Sequence, residues 1–409
     1  MTNNLKNTLH LIIIFFFSSY LIQSEFILNF ISKGSVLFGD HIETINWLKC
    51  NFLGFNLYLN NEEIGCGTTG KINYGYAFLS IPYNDLIDTF YRSYYPYIII
   101  FLFIYLSIKI INPKNKLEIL LLYLALLNPS SLLLLERLNF DSLIFIAAIF
   151  IVFNKIYIIN WFLGIYFTLI KIYPIALLIN ILIENKNRSI KKILLIVLFL
   201  MIASFTYLYI YKEFYFFMLQ NLNYSGAGYH ILFSLNSIPK IFKYIFEINY
   251  QILLLIFYLL FIFICVKFYK KIKVYKDYFN KTVYTYNSKL FLIGGYLSVF
   301  IFIISSNYYY KEVFLILLIP FILNIKNDPQ NKIFNFLIYI FIIKYFYSFF
   351  YSYININDGI TYLDGNRIFS NKFIISIFIK SLLDFILMSI ISAMLYLKTE
   401  IYLKNKFKI

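Results

Sequence analysis

Charged residues are scarce in this sequence, at 14% of 409 positions. A water-soluble domain ordinarily carries about 25% charged residues to coat its apolar elements. Here 61% of the residues are hydrophobic and the mean hydropathy is +0.74, which leaves too little polar material to cover a soluble body. The known signatures of nucleotide and metal chemistry are missing too: no Walker motif, no dinucleotide fingerprint and no His-Glu-x-x-His. Ser225-Gly226-Ala227-Gly228, ahead of His230, has the glycines of a phosphate loop but not its strand–helix context. These absences argue against an ATP- or NAD-driven cytosolic reaction. Internal repeats are lacking as well, which ranks a solute-coupled transporter low. Alanine is sparse beside isoleucine, lysine, asparagine, phenylalanine and tyrosine, a bias of the coding DNA and not a chemical signal.

What is present is a series of apolar runs, at about 8–30, 96–111, 118–135, 140–154, 156–170, 174–184, 193–211, 249–268, 290–306, 312–325, 332–350 and 373–397. A helix needs ~20 such residues to cross the hydrocarbon of a bilayer, and several runs reach that length. The first follows Lys6 and resembles a signal peptide, but no small-residue cleavage site follows it, so it reads as a retained span. The net charge of +16 would suggest nucleic acid in a soluble protein. Here the lysines sit in short links between apolar runs, so the bilayer explains them and no nucleic-acid partner is implied.

Basic residues orient the runs. Lys114 with Lys116, Lys186 to Lys192, Lys267 to Lys281 and the Lys398–Lys408 tail belong on the cytoplasmic side. The first loop, 31–95, sets Lys33, Lys49, Lys71 and Arg92 against Asp40, Glu43, Glu62, Glu63, Asp85 and Asp88, and belongs outside. The expected fold is therefore an all-α, polytopic transmembrane bundle of about twelve crossings with both termini in the cytoplasm. It is one membrane domain over 1–409: the first extracytoplasmic loop at 31–95, a core at 96–325 and C-terminal helices at 326–409. One stretch is short for this plan. Residues 156–170 and 174–184 rise only ~22 and ~17 Å as helices. They read as a shallow helical hairpin whose turn, Lys171-Ile172-Tyr173-Pro174, needs protein or water around it; the alternative is one long span.

Chemistry-bearing residues gather in the links expected outside. Asp40, just past the first span, is either a general base or a carboxylate that caps a loop helix. Asp40, His41 and Glu43 together can hold a divalent metal, though nothing in the sequence demands one. Cys50 and Cys66 share the first loop and are either two thiols or a bridge worth roughly 3 kcal/mol. In Glu136-Arg137-Leu138-Asn139-Phe140-Asp141, Arg137 can grip a phosphate with Asp141 orienting it, or pair with Asp141 at helical spacing. Lys171 is a cation among apolar residues, facing an anionic ligand or snorkelling to the headgroups. Lys311, in Asn307-Tyr308-Tyr309-Tyr310-Lys311-Glu312, is another candidate phosphate contact, and Lys380 with Asp384 reads as a neutralising structural pair. Glu213 followed by Phe214, Tyr215, Phe216 and Phe217 suggests an interfacial element.

In order along the chain, these motifs resemble the GT-C superfamily of integral membrane glycosyltransferases, in its bacterial mannosyltransferase-like branch that uses polyprenyl-phosphate sugars. Gly39-Asp40, Trp47, Cys50, Gly54, Tyr58, Cys66 and Asn73-Tyr74-Gly75-Tyr76 resemble the family's first loop, with Tyr74-Gly75 where members often have Tyr-Pro. Glu136 to Asp141 is similar to Glu-Arg-Gly-Asn-x-Asp, with Leu138 in place of glycine. Lys171 to Pro174 matches Lys-x-Tyr-Pro, and Asn307 to Lys311 resembles Asn-x-x-Tyr-Arg with lysine for arginine, which loses a bidentate grip. The resemblance covers about 30–325. It implies a GT-C-like fold and an inverting transfer of a hexose such as mannose to an extracytoplasmic glycan or lipid-linked acceptor at the bacterial inner membrane. Asp40 would be the catalytic base, with Arg137, Asn139, Asp141, Lys171, Tyr173 and Lys311 binding the donor, and no cofactor beyond the polyprenyl-phosphate sugar. A lipid-linked oligosaccharide flippase or a polysaccharide polymerase is the alternative.

Overall fold

The computed structural model describes residues 3–24, 37–55, 57, 72, 74–183, 190–216, 233–282, 285–304, 309–326, 332–358, 360–363 and 366–407. The described residues are mostly helical: α1 (Asn3–Gln23), α2 (Gly39–Phe52), α3 (Asp85–Ser93), α4 (Tyr95–Ile111), α5 (Lys116–Leu127), α6 (Pro129–Arg137), α7 (Asp141–Phe153), α8 (Tyr157–Ile170), α9 (Ile175–Ile183) and α10 (Ile190–Ile210) come first. After them come α11 (Ser237–Phe246), α12 (Tyr250–Ile272), α13 (Lys276–Lys281), α14 (Tyr286–Ile304), α15 (Ile319–Lys326), α16 (Lys332–Asp358) and α17 (Asn371–Phe407). Short 3-10 helices lie at Tyr76–Ser80, Lys273–Tyr275 and Tyr309–Leu318. One antiparallel hairpin, β1 (Ile360–Leu363) with β2 (Asn366–Phe369), pairs Ile360 with Phe369 and Leu363 with Asn366.

The twelve-crossing expectation is corrected by these helices. Among the described residues five are long and apolar enough to cross a membrane: Leu5–Gln23, Tyr250–Lys281, Tyr286–Ile304, Ile333–Asn355 and Asn371–Asn405. Up to seven result if the bent pairs α3–α4 (47°) and α5–α6 (44°) each count as one. The physical reason is length and interruption. Run 140–154 makes a helix of 13 residues, and 156–170 and 174–184 make helices of 14 and 9, rising well short of ~30 Å. Run 312–325 is a 3-10 helix for its first half, with Val313 to Leu318 buried inside protein and not presented to lipid. The even count of twelve, on which both termini were placed in the cytoplasm, is not retained.

The α5–α6 bend has a local cause. Pro129 cannot continue the hydrogen-bond ladder of α5 but suits the first turn of α6. Asn128 serves both helix ends: its Oδ1 accepts from the N–H groups of Ser130 (2.9 Å) and Ser131 (3.1 Å), and its Nδ2 donates to the carbonyls of Leu124 and Ala125. The break therefore leaves few orphaned backbone groups, which is what a buried bend requires.

The chain divides into two compact units. The first comprises 1–37, 99–153 and 227–409; the second comprises 38–98 and 154–226. In the first unit α14 packs along the 3-10 helix at 309–318, and α17 packs against α12, α14 and α16. Gly294 on α14 lets Leu317 come so close that a Cβ at 294 would stand 2.5 Å from the Leu317 Cβ. The hairpin side of this unit is capped by Ile241, Tyr351, Ile354, Phe369, Phe373 and Ile377, packed together.

In the second unit α8 and α9 pack against each other as a short hairpin that breaks at Lys171–Pro174, as its sequence suggests. The 3-10 helix Tyr76–Ser80 lies on α8. Trp47, Tyr74 and Phe78 meet edge to face, with centroids 5.1 to 6.3 Å apart. The Gly75 N–H donates to the Ile170 carbonyl at 2.8 Å, and a Cβ at 75 would stand 2.0 Å from the Leu169 carbonyl oxygen. That backbone atom has nowhere to go, so only glycine fits.

Gly75→Ala should therefore destabilise the protein by about 1–3 kcal/mol, the usual cost of overpacking. Gly295→Ala should cost less, because its Cβ would meet only the movable Leu395 side chain. Thermal unfolding of both variants in detergent checks the order, and equal midpoints would contradict it.

Candidate functional site

The first unit assembles one of the motifs picked out by sequence. At the end of α6 the backbone turns at Leu138, which is buried and left-handed (φ 46°, ψ 46°). A leucine held there costs about 1–2 kcal/mol, whereas glycine adopts that region freely. Leu138 is thus a strained residue at the end of α6. After this turn Asn139 is fixed on three sides. Its Oδ1 accepts from the Asp141 N–H (3.1 Å), its carbonyl accepts from the Ser142 hydroxyl (2.8 Å) and its Nδ2 donates to the Tyr310 hydroxyl (3.0 Å). Arg137 keeps about a third of its side chain exposed and its Nε lies 3.4 Å from the fully buried Glu136 carboxylate. Asp141 is buried in the first turn of α7, and Lys311, next to Tyr310, is half-buried. Arg137, Asn139, Asp141 and the Tyr310–Lys311 turn are therefore gathered in one unit. Asn307 lies outside the described residues.

Beside that turn is a feature the sequence disclosed only in part. Glu312 and Asp384 alternate with Lys344 and Lys380 in a closed ring of buried charges, none more than 5% exposed. Lys344 donates to Glu312 Oε2 (2.7 Å) and to Asp384 Oδ1; Lys380 donates to Glu312 Oε1 (2.8 Å) and Asp384 Oδ2 (3.0 Å). Every carboxylate oxygen has an ammonium partner, and the ring is neutral. Aromatic faces line it: Phe233 is 5.6 Å from Lys344, and Tyr309 and Tyr351 are 5.8 and 5.9 Å from Lys380. The Lys380–Asp384 pair follows from its i,i+4 spacing. Lys344 was missed, although a lysine alone in the apolar run 332–350 must find a carboxylate.

The second unit holds the other candidates. Asp40 stands, half-buried, in the first turn of α2, whose N-cap residue Phe38 supplies no side-chain cap. A carboxylate there complements the helix dipole, so the capping role open to Asp40 has a basis in geometry. The His41 ring stacks on Tyr95 at 5.1 Å, and its Nε2 lies 2.8 Å from the Tyr91 carbonyl. Since a carbonyl only accepts, Nε2 carries the proton. Burial holds the His41 imidazole below its usual value, against the opposing effect of the Tyr91 carbonyl and with help from Arg92. Lys171, at the hairpin turn, sits over the Tyr74 ring at 4.7 Å, and Tyr173 is half-buried beside a buried Pro174.

Cys50 is disulfide-bonded, Cys265 is a free thiol, and Cys66 lies outside the described residues, as do Ser225 to His230 and Phe217. Among the described residues no group of three or more His, Cys, Asp or Glu side chains is arranged to hold a metal ion, so Asp40, His41 and Glu43 do not form one. No family model, curated protein or solved structure matches the chain.

Two outcomes follow from this geometry. Lys344→Met leaves two buried carboxylates with one cation and should cost about 3–5 kcal/mol. Adding Glu312→Gln should recover part of that loss, with a coupling of ~1 kcal/mol or more in a double-mutant cycle read by thermal unfolding; strict additivity would contradict the ring. For His41, the folded state binds its proton less readily than the unfolded state. Its contribution to stability is therefore complete above about pH 6.5 and lost as pH falls below that value. A His41→Phe variant should lack this limb of the stability–pH curve.

Proposed function

We propose that this chain is a membrane-embedded glycosyltransferase that moves a hexose from a polyprenyl phosphate to an acceptor outside the cytoplasm of a bacterial cell. The observation that carries this reading is the hydrogen bond from Asn139 to Tyr310, 171 residues apart in sequence. It joins two of the motifs on which the family resemblance rests and keeps Arg137 and Lys311 in one unit. A left-handed backbone at Leu138, where the resembled motif has glycine, is independent support. An arginine part-exposed beside fixed polar groups suits a phosphate that arrives with a lipid tail.

The reaction needs little machinery. An acceptor hydroxyl oxygen attacks the anomeric carbon from the face opposite the phosphate. The bond between that carbon and the phosphate oxygen breaks, its electron pair leaves with the polyprenyl phosphate, and the configuration inverts. In this reading Asp40 takes the acceptor proton. Arg137 and Lys311 neutralise charge on the departing phosphate. Asn139 and Asp141 orient the donor.

The test is incubation of purified protein in lipid nanodiscs with labelled polyprenyl-phosphate hexoses and a lipid extract. Label should pass into a new glycan, and Asp40→Asn should reduce transfer on the order of a hundredfold or more, the usual worth of a general base. Full transfer by Asp40→Asn would remove Asp40 from the mechanism. No transfer by folded wild-type protein across a donor panel would overturn the enzyme reading in favour of a lipid-carrier flippase or polymerase.

A further inference from the structure

Helix α3 is the part of the second unit that its own protein covers least. None of its nine residues is buried. At about 100° per residue, Leu86, Phe90 and the following Tyr94 fall on one side, and Asp85, Asp88, Thr89 and Arg92 on the other. The protein half-covers the side that carries Ile87, Asp88, Tyr91 and Arg92, and leaves Asp85, Thr89 and Ser93 exposed along the edge of the apolar stripe. The Arg92 Nε donates to both oxygens of Asp88 at 2.9 Å, and its Nη2 donates to the Asn46 Oδ1 on α2 at 2.9 Å. The apolar side is thereby turned outward: Leu86 is 83% exposed, Phe90 43% and Tyr94 64%. Such a stripe is costly in water and needs an occupant.

We propose that this occupant is the bilayer, with α3 lying in the plane of the membrane interface and its apolar side sunk among the acyl chains. Continuity identifies the partner. After a 47° bend α3 runs into α4, an apolar helix of 17 residues, and the exposed stripe continues on it at Tyr97 and Ile98. The bend is what a helix requires to change from lying on a membrane to entering it. Tyr94, at the joint, has the amphipathic ring favoured at headgroup depth. Burial of apolar surface drives the insertion, because Asp85 and Asp88 outnumber Arg92 and gain nothing from anionic lipid. Through Arg92–Asn46 and the His41–Tyr91 hydrogen bond, α3 fixes α2 near the same depth. Asp40 is then carried at the level of lipid headgroups, a consequence that bears on lipid-linked donors only if the transfer reading holds; the placement of α3 itself does not depend on that reading.

The full chain, with Cys265→Ser to remove the free thiol, is labelled with bimane at Leu86→Cys, Phe90→Cys or Thr89→Cys in vesicles of phosphatidylcholine. Brominated lipid should quench the labels at 86 and 90 on the order of twofold more than the label at 89, and aqueous iodide should show the reverse order. Replacing a third of the lipid by phosphatidylglycerol should leave both patterns unchanged. Equal iodide quenching at all three sites would overturn the proposal. So would labels at 86 and 90 shielded from both quenchers with Leu86→Cys chains crosslinking to each other, which would assign the stripe to a second copy of the chain.

Discussion

The ring formed by Glu312, Lys344, Asp384 and Lys380 sets the terms for the first unit. Four charges taken out of water are stable only when each is paired, and removing any one strands its neighbours. The ring draws its members from three elements: the 3-10 helix at 309–318, α16 and α17. It therefore ties these elements in one register. In a 3-10 helix residues three apart eclipse each other, so Tyr309 and Glu312 share a face, and both meet the ring. Tyr310 is turned by about 120° from that face, toward Asn139, and Lys311 by about 240°, where it stays half-buried. The buried ring thus aims two side chains of the candidate site.

The same economy governs the polar link between α6 and α7. Leu138 is held in a backbone conformation that leucine resists, and its burial together with the three hydrogen bonds of Asn139 offsets the strain. Strain maintained by surrounding contacts is a feature of positioned sites, and here it lies between Arg137 and Asn139. In the second unit the corresponding device is Gly75, whose missing side chain lets the Tyr74 turn press against the end of α8 and bring the Tyr74 ring under Lys171.

Local signals in the sequence were readable where the physics is local. Pro174 marks the hairpin turn, and Lys380 with Asp384 gives itself away by its spacing. The number of crossings was not readable in this way. Hydropathy counts apolar residues but does not distinguish those that face lipid from those that face protein, and the run at 312–325 is apolar because it is core. Lys344 was obscured for a different reason: its partners lie 32 and 40 residues away, beyond any periodicity. Loop 31–95 looked merely acidic and soluble, because the apolar stripe of α3 spans too few residues to stand out from the charges between them. Its direction depends on Arg92 reaching Asn46, a contact 46 residues long.

The polar link between α6 and α7, with Tyr310 and Lys311, is the proposed binding site of a lipid phosphate, and binding is separable from turnover. Polyprenyl monophosphate titrated into the protein in nanodiscs should bind wild type and Asp40→Asn alike. Arg137→Gln with Lys311→Gln should weaken it by about tenfold or more, the loss of two charge-assisted contacts. Equal affinity in that double variant, with its thermal unfolding unchanged, would contradict the site.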